Sequence, residues 1–272
     1  MPLTSFQQEV LSSIAKNRDP ESYVAGGTVL QHAGIRLSND IDIFHDREER
    51  LAEAVRLDDA SLTRDGFAVD WRLRSQTFHR ALVSRNGEET RLEWVVDAEF
   101  RFFPTQPDPV FGYALHPIDL ATNKLLAAAS RVEPRDAIDV LWIDEYIQPI
   151  GAIAWAAVEK DPGWTPEGII GEVRAKARYR DEQLATELLV DPLSAGELNR
   201  GLRAATARAD RLLALLPSRL GFGALLRSDG SLAQPDPDRP ETLADLVVHH
   251  GSRKGAWPSS PEIGSVMLRE RR

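Results

Sequence analysis

The sequence predicts an α+β protein, with strands gathered in its first hundred residues and helices dominating beyond Ile147. Three observations predict it. Segments 22–25, 40–44, 67–73, 77–84 and 90–96 are short runs rich in β-branched, aromatic or alternating apolar residues, the pattern of strands. The last two are joined by Asn86-Gly87, the dipeptide favoured in tight hairpins. After Ile147 apolar residues recur at helical spacing, with helix starts marked by Thr165-Pro166-Glu167 and Ser194-x-x-Glu197. A chain of 272 residues exceeds the roughly 100 to 200 typical of one domain. The predicted division is 1–115, strand-rich; 116–216, helical; and 217–272, an irregular tail with one short helix near Thr242–His249.

Taken in order, Ser5–Lys16 carries Phe6, Val10, Leu11 and Ile14 on one helical face, and Asn17-Arg18-Asp19-Pro20 ends it. Ser22–Ala25 reads as a buried strand that breaks at Gly26-Gly27, after which Thr28 opens an apolar helix with Val29, Leu30 and Ala33. Asp46–Leu57 is predicted as a surface helix rich in Glu and Arg. Phe100–Gly112 is predicted as a Pro-rich connection. Pro117 and Asp119 suit a first helical turn, with Leu120, Leu125, Leu126 and Ala129 as its apolar stripe. Glu133-Pro134 starts the following helix, and Ile150–Val158 forms another.

The chemistry concentrates in Gly26–Phe44. Side chains alternate along a strand, so Asp40 and Asp42 share one face while Ile41 and Ile43 point into a core. Two carboxylates at roughly 4 Å repel by about 4 kcal/mol at an effective dielectric near 20. The pair therefore implies a shared proton, cationic neighbours or a divalent metal. Mg²⁺, or Mn²⁺, suits it, because such an ion takes one or two carboxylates and fills its other positions with water and phosphate oxygens. Gly26 and Gly27 would let a phosphate approach the backbone, with hydroxyls from Thr28 and Ser38 and a cation from Arg36 nearby. The plainer alternative is an ordinary glycine turn followed by a half-exposed strand with a solvated acidic face.

Gly26-Gly27-Thr28, a spacer, then Asp40-Ile41-Asp42 resembles the signature of the polymerase-beta-type nucleotidyltransferase superfamily. The Arg36-x-Ser38-x-Asp40-x-Asp42 form is similar to its AbiEii/AbiGii toxin branch. The resemblance implies a nucleotidyltransferase fold, with a mixed sheet flanked by helices and a helical C-terminal domain. It also implies a third carboxylate on a neighbouring strand. Glu93 is the candidate for that role and as a metal ligand, and Asp97 the alternative; Glu93 equally suits a hairpin face paired with Arg91 or Arg80.

Lys124 sits beside an apolar helical stripe, where it either reaches solvent along its stem or serves a triphosphate. Lys124, Arg131 and Arg135-Asp136-Ala137-Ile138-Asp139 resemble the downstream motif of the same AbiEii-like enzymes. By that resemblance Lys124 contacts NTP phosphates, and Asp136, with Asp139, orients Lys124 or helps deprotonate the acceptor. The activity implied is transfer of a nucleoside monophosphate from an NTP to RNA or tRNA in a toxin–antitoxin or phage-defence setting, with an antitoxin as a further partner. A small-molecule or protein acceptor, and an inactive nucleotide-binding module, are the alternatives.

Composition narrows the field. A chain without cysteine forms no disulfide, zinc-thiolate centre or cysteine nucleophile, in keeping with a reducing compartment such as the cytoplasm. No apolar run approaches the roughly 20 residues that span a bilayer, and MPLTSFQQEV lacks the features of a signal peptide. A net charge of −9 argues against broad non-specific nucleic-acid binding. The one basic cluster, Arg174, Lys176, Arg178 and Arg180, is interleaved with Glu172, Asp181 and Glu182, so a solvated helix face is the first reading and an RNA contact the second.

Overall fold

The computed structural model describes residues 3–30 and 34–258; Ala33 therefore lies outside the described residues. The chain divides into two units, the first comprising 1–99, 105–116 and 188–191, the second 100–104, 117–187 and 192–272.

The first unit is built on a seven-stranded sheet. Its strands are β1 (Ser22–Ala25), β2 (Asp40–His45), β3 (Ala68–Arg74), β4 (Phe78–Arg85), β5 (Glu88–Val96), β7 (Gln106–Asp108) and β8 (Gly112–Ala114). Their order is β3-β4-β5-β2-β1-β8-β7. The sheet is mixed: β1 runs antiparallel to β2, while β2 lies parallel to β5 and β1 parallel to β8. The turn residues Asn86 and Gly87 have φ of 55° and 87°, the left-handed conformation that a two-residue hairpin demands and that Asn-Gly supplies most easily.

Helix α1 (Ser5–Ile14) begins at a capping box in which Thr4 and Gln7 satisfy each other's backbone N–H. Its Phe6, Val10, Leu11 and Ile14 join Ile41, Ile43, Ala81, Val83, Leu92 and Trp94 in one core. Helix α3 (Glu48–Arg64) is longer than predicted and is not only a surface helix, because Leu51, Ala54, Val55, Asp58, Ser61 and Leu62 are buried. Asp58, one residue beyond the predicted end at Leu57, is fully enclosed. Arg18 Nη2 donates to both its oxygens at 2.5 and 2.7 Å, Asn17 Nδ2 donates to Oδ1 at 2.8 Å and Trp94 Nε1 to Oδ2 at 2.8 Å.

The Pro-rich connection also differs from expectation. It contains β6 (Phe100–Arg101) and β7 and runs into β8 at Gly112, and β7 and β8 pair as an antiparallel hairpin. Asp108 Oδ1 accepts from the N–H of Val110 and of Phe111, closing the turn locally.

His45, at the end of β2, is fully buried, and its Nε2 has no hydrogen-bond partner among the described residues. Burial, then the nearby Arg18 charge, lowers its pKa from 6.5 to about 3. A folded-state pKa below the unfolded value means that His45 contributes fully above pH 6.5, and that this contribution is lost as pH falls from 6.5 towards 3. Within that window the loss approaches roughly 1.4 kcal/mol per pH unit. Denaturant melts of wild type and His45→Gln between pH 7 and 4 should show wild type losing stability faster; parallel curves would contradict this.

The second unit contains α4 (Pro117–Ser130), α5 (Pro134–Tyr146), α6 (Ile150–Lys160), α7 (Pro166–Lys176), α8 (Asp181–Leu184) and α9 (Ala195–Leu215). Helix α6 is apolar nearly all round and is buried from Ile150 to Val158. Between 219 and 258 the chain forms more regular structure than its composition implies. Strand β9 (Ala224–Arg227) pairs with β10 (Leu246–His249), and β6 (Phe100–Arg101) pairs with β11 (Ser252–Arg253). Thr242–His249 is therefore not a helix: a 3₁₀ turn at Pro240–Leu243 leads into β10, where Leu246-Val247-Val248 favours the extended form. Gln148 Nε2 secures this part by donating to Leu225 O and Ala233 O. No helix among the described residues is long and apolar enough to cross a membrane.

Candidate active site

Strand β2 fixes the acidic pair. Ile41 and Ile43 are fully buried, so Asp40 and Asp42 both face the other side of the sheet. The parallel register sets Arg91 of β5 opposite Asp40, and Glu93 opposite Asp42. On the far side of β5, Arg80 of β4 stands opposite Glu93.

One charge network joins these side chains. Arg91 Nη2 donates to Asp40 Oδ2, and Arg91 Nε lies 3.2 Å from Glu93 Oε1. Arg80 Nε donates to the same Glu93 oxygen at 2.8 Å. Bonding to Asp40, and then the charges of Asp40, Glu93 and Asp42, hold the Arg91 guanidinium above its usual range. The repulsion expected from the acidic pair is thus offset by an arginine from the neighbouring strand.

The glycines serve this cluster directly. Gly26 has φ of +71°, a left-handed conformation that glycine adopts without strain. A Cβ there would fall on Asp42 Oδ2 and lie 3.1 Å from Asp42 Cγ; one on Gly27 would lie 2.5 Å from Arg36 Nη2. The helical assignment of α2 (Gly26–Leu30) starts at the glycines themselves and not at Thr28. Thr28 is buried and its hydroxyl donates to Asp40 O at 2.5 Å. Ser38 Oγ donates to Asp40 Oδ1 at 3.0 Å, so both hydroxyl protons support Asp40 in this arrangement. The buried Arg36 donates to Leu37 O at 3.2 Å.

Two supports were not read from the sequence. Gln7 Nε2 donates to Ser38 O at 2.8 Å and to Thr90 Oγ1 at 3.3 Å, tying α1 to the start of β2 and to β5. The 188–190 stretch pairs with 35–37 through Leu37 N–H to Leu188 O and Val190 N–H to Ile35 O, both at 2.8 Å. Its apolar Leu188-Leu189-Val190 run is the one signal that could have marked it.

Asp40 and Asp42 offer adjacent hard oxygen donors, which fit Mg²⁺ or Mn²⁺. Among the described residues no group of three or more His, Asp or Glu side chains is arranged to hold a metal. Glu93 stands beside Asp42 in register, but its carboxylate turns to the two arginines. Asp97 follows β5, its N–H bonded to His45 O at 3.0 Å, well past the level of Asp42.

The second motif lies in the second unit. Lys124 does not extend to solvent: its Nζ lies 3.0 Å from Asp139 Oδ2 and 3.4 Å from Asp136 Oδ1, with both aspartate side chains fully buried. Arg131 adds a two-nitrogen clasp on Asp136, Nε to Oδ2 at 2.6 Å and Nη2 to Oδ1 at 3.1 Å. Tyr179 is buried close by; desolvation, then the charges of Asp136 and Glu133, push its hydroxyl up to about 12. The basic cluster is not one helix face. Helix α7 ends at Lys176, which bonds to Ala129 O and pairs with Glu172, while Arg174 pairs with Asp210; Arg178 and Arg180 are exposed on a non-helical segment.

No family model matches the chain, and no curated protein matches it in sequence. Among solved structures, MenT4, a nucleotidyltransferase toxin from Mycobacterium tuberculosis H37Rv, superimposes with a TM-score of 0.56 over 75% of this chain and 82% of its own, at 15% identity. The fold is that of nucleotidyltransferases. At such identity the likeness concerns the nucleotidyltransferase fold alone. The Cid1 poly(U) polymerase bound to MgGTP aligns over 72% of this chain and 64% of its own at 12% identity, with a TM-score of only 0.30, below the level of a shared fold.

Proposed function

We propose that this chain is a metal-dependent nucleotidyltransferase that moves a nucleoside monophosphate from an NTP to an acceptor hydroxyl. The observation that carries the reading is the Asp40–Asp42 pair on one face of β2, with Gly26 packed against Asp42 and Gly27 against Arg36. In this reading Asp40 and Asp42 hold a divalent cation, which would supply charge neutralisation and polarise the phosphate oxygens. The triphosphate lies along the Gly26-Gly27 backbone, and Thr28 and Ser38 keep Asp40 in place. Glu93 acts as a third carboxylate only when its arginines release it. The acceptor hydroxyl attacks the α-phosphorus in line and gives up its proton to water, while the bond to the bridging oxygen breaks and pyrophosphate departs.

Lys124 is the phosphate-contacting lysine of the motif resemblance. The full burial of Asp136 and its clasp by Arg131 favour a role in positioning Lys124 over proton abstraction. RNA, including tRNA, is the proposed acceptor, in a cytoplasmic toxin or phage-defence setting with an antitoxin partner. The description of MenT4 as a toxin is in keeping with that setting. The net charge of −9 favours, as a second reading, a small-molecule or protein hydroxyl as acceptor. The pairing of Glu93 with two arginines favours a third, a module that binds nucleotide without chemistry.

Pyrophosphate release separates these readings. Full-length protein with Mg²⁺ and mixed NTPs should release pyrophosphate when total RNA is added. Release with a protein or metabolite fraction in place of RNA would favour the second reading. Mg²⁺-dependent NTP binding with no pyrophosphate under any condition would favour the module.

A further inference from the structure

We propose that Arg91 is a built-in counter-ion of the acidic pair, which a divalent cation must displace from Asp40 in order to bind. The inference rests on the metal-dependent reading above and adds a residue that sets how tightly the metal is held.

Both oxygens of Asp40 are engaged. Oδ1 accepts from Ser38 Oγ at 3.0 Å and Oδ2 accepts from Arg91 Nη2. A cation approaching Oδ2 therefore meets a guanidinium already bonded there. Two positive groups cannot share that position, since each raises the energy of the other. The same guanidinium reaches across to Glu93, so one planar cation spans the acidic side chains of two neighbouring strands.

Exposure shows which partner can move. The Arg91 side chain is 40% accessible, whereas Asp40 and Glu93 are each only 14% accessible. Asp40 is further fixed by Ser38, and Glu93 keeps Arg80 at 2.8 Å after Arg91 leaves. Arg91 is thus the outer, long and hinged member of the network, able to swing into water while the carboxylates stay in register. In the metal-free protein it keeps the acids neutralised and together. On metal loading it gives up one position and weakens the apparent metal affinity by competition.

The test is Mn²⁺ binding to the full chain without nucleotide, by titration calorimetry, for wild type, Arg91→Gln and Arg91→Lys. Arg91→Gln should bind Mn²⁺ tighter, on the order of tenfold, the size of a typical coupling between two ligands. It should also melt lower than wild type without metal, with the gap closing as Mn²⁺ saturates. Arg91→Lys keeps the charge but loses the planar fork, and should bind Mn²⁺ with a smaller gain; it serves as the variant of record if Arg91→Gln does not fold. Mn²⁺ binding by wild type with no gain in either folded variant overturns the counter-ion role alone. Absence of Mn²⁺ binding in wild type and variants alike overturns the metal reading of Asp40 and Asp42, and this inference with it.

Discussion

Replacing Asp42 by alanine is expected to lower nucleotidyl transfer by roughly 10³-fold, the rate equivalent of losing several kcal/mol of metal-borne charge stabilisation. The fold should survive. Asp42 projects from the half-exposed face of β2, and the core on the other side is made by Ile41 and Ile43, which the substitution leaves untouched. Because Arg91 already offsets the repulsion between the two acids, no rise in melting temperature from relieved repulsion is expected without metal. Pyrophosphate release and a thermal melt on the same sample separate these effects. Wild-type turnover by a folded Asp42→Ala protein would remove the acidic pair from the chemistry.

The largest stability effect is expected at Asp58, which takes no part in the proposed chemistry. Its carboxylate accepts hydrogen bonds from Arg18, Asn17 and Trp94, and both charged side chains are fully enclosed. Burial pushes the Asp58 carboxyl up, and the Arg18 charge opposes that push. Asp58→Ala leaves an enclosed guanidinium without its counter-charge and an indole N–H without its acceptor. Breaking a buried pair from one side in this way costs about 3–5 kcal/mol. Urea unfolding should register that loss; a change below about 1 kcal/mol would mean that water reaches Arg18 in the variant. Asp58→Ala combined with Arg18→Met should recover part of the loss, because apolar replacement of both partners removes the stranded charge.

What could be read from the sequence follows the range of the interactions involved. The strand alternation in Asp40-Ile41-Asp42-Ile43 is local, so one residue of parity sufficed to put both acids on one face. The Asn86-Gly87 hairpin and the α1 stripe are local too, and the structure has all three. Lys124 was visible as an anomaly, a lysine beside an apolar stripe, but its partners Asp136 and Asp139 come from the next helix. Long-range pairing hid the rest. Gly26 is legible as a glycine turn, but only the fold shows that a Cβ there would meet Asp42, sixteen positions on. The enclosure of Asp58 was not legible either, because nothing in α3 reveals that Arg18 and Trp94 close over it. Strand β9 is four residues long amid turn-forming sequence, and only its pairing with β10 makes it a strand.

Label transfer shows whether the acids of β2 serve nucleotidyl transfer. Purified full-length protein is incubated with each α-³²P-labelled NTP, Mg²⁺ and total RNA, beside an Asp40→Ala/Asp42→Ala control, and the products are resolved on a denaturing gel. Wild type should give a labelled RNA band that the double variant lacks, and the band names the NTP and the acceptor class together. An equally labelled band from the folded double variant would contradict that expectation.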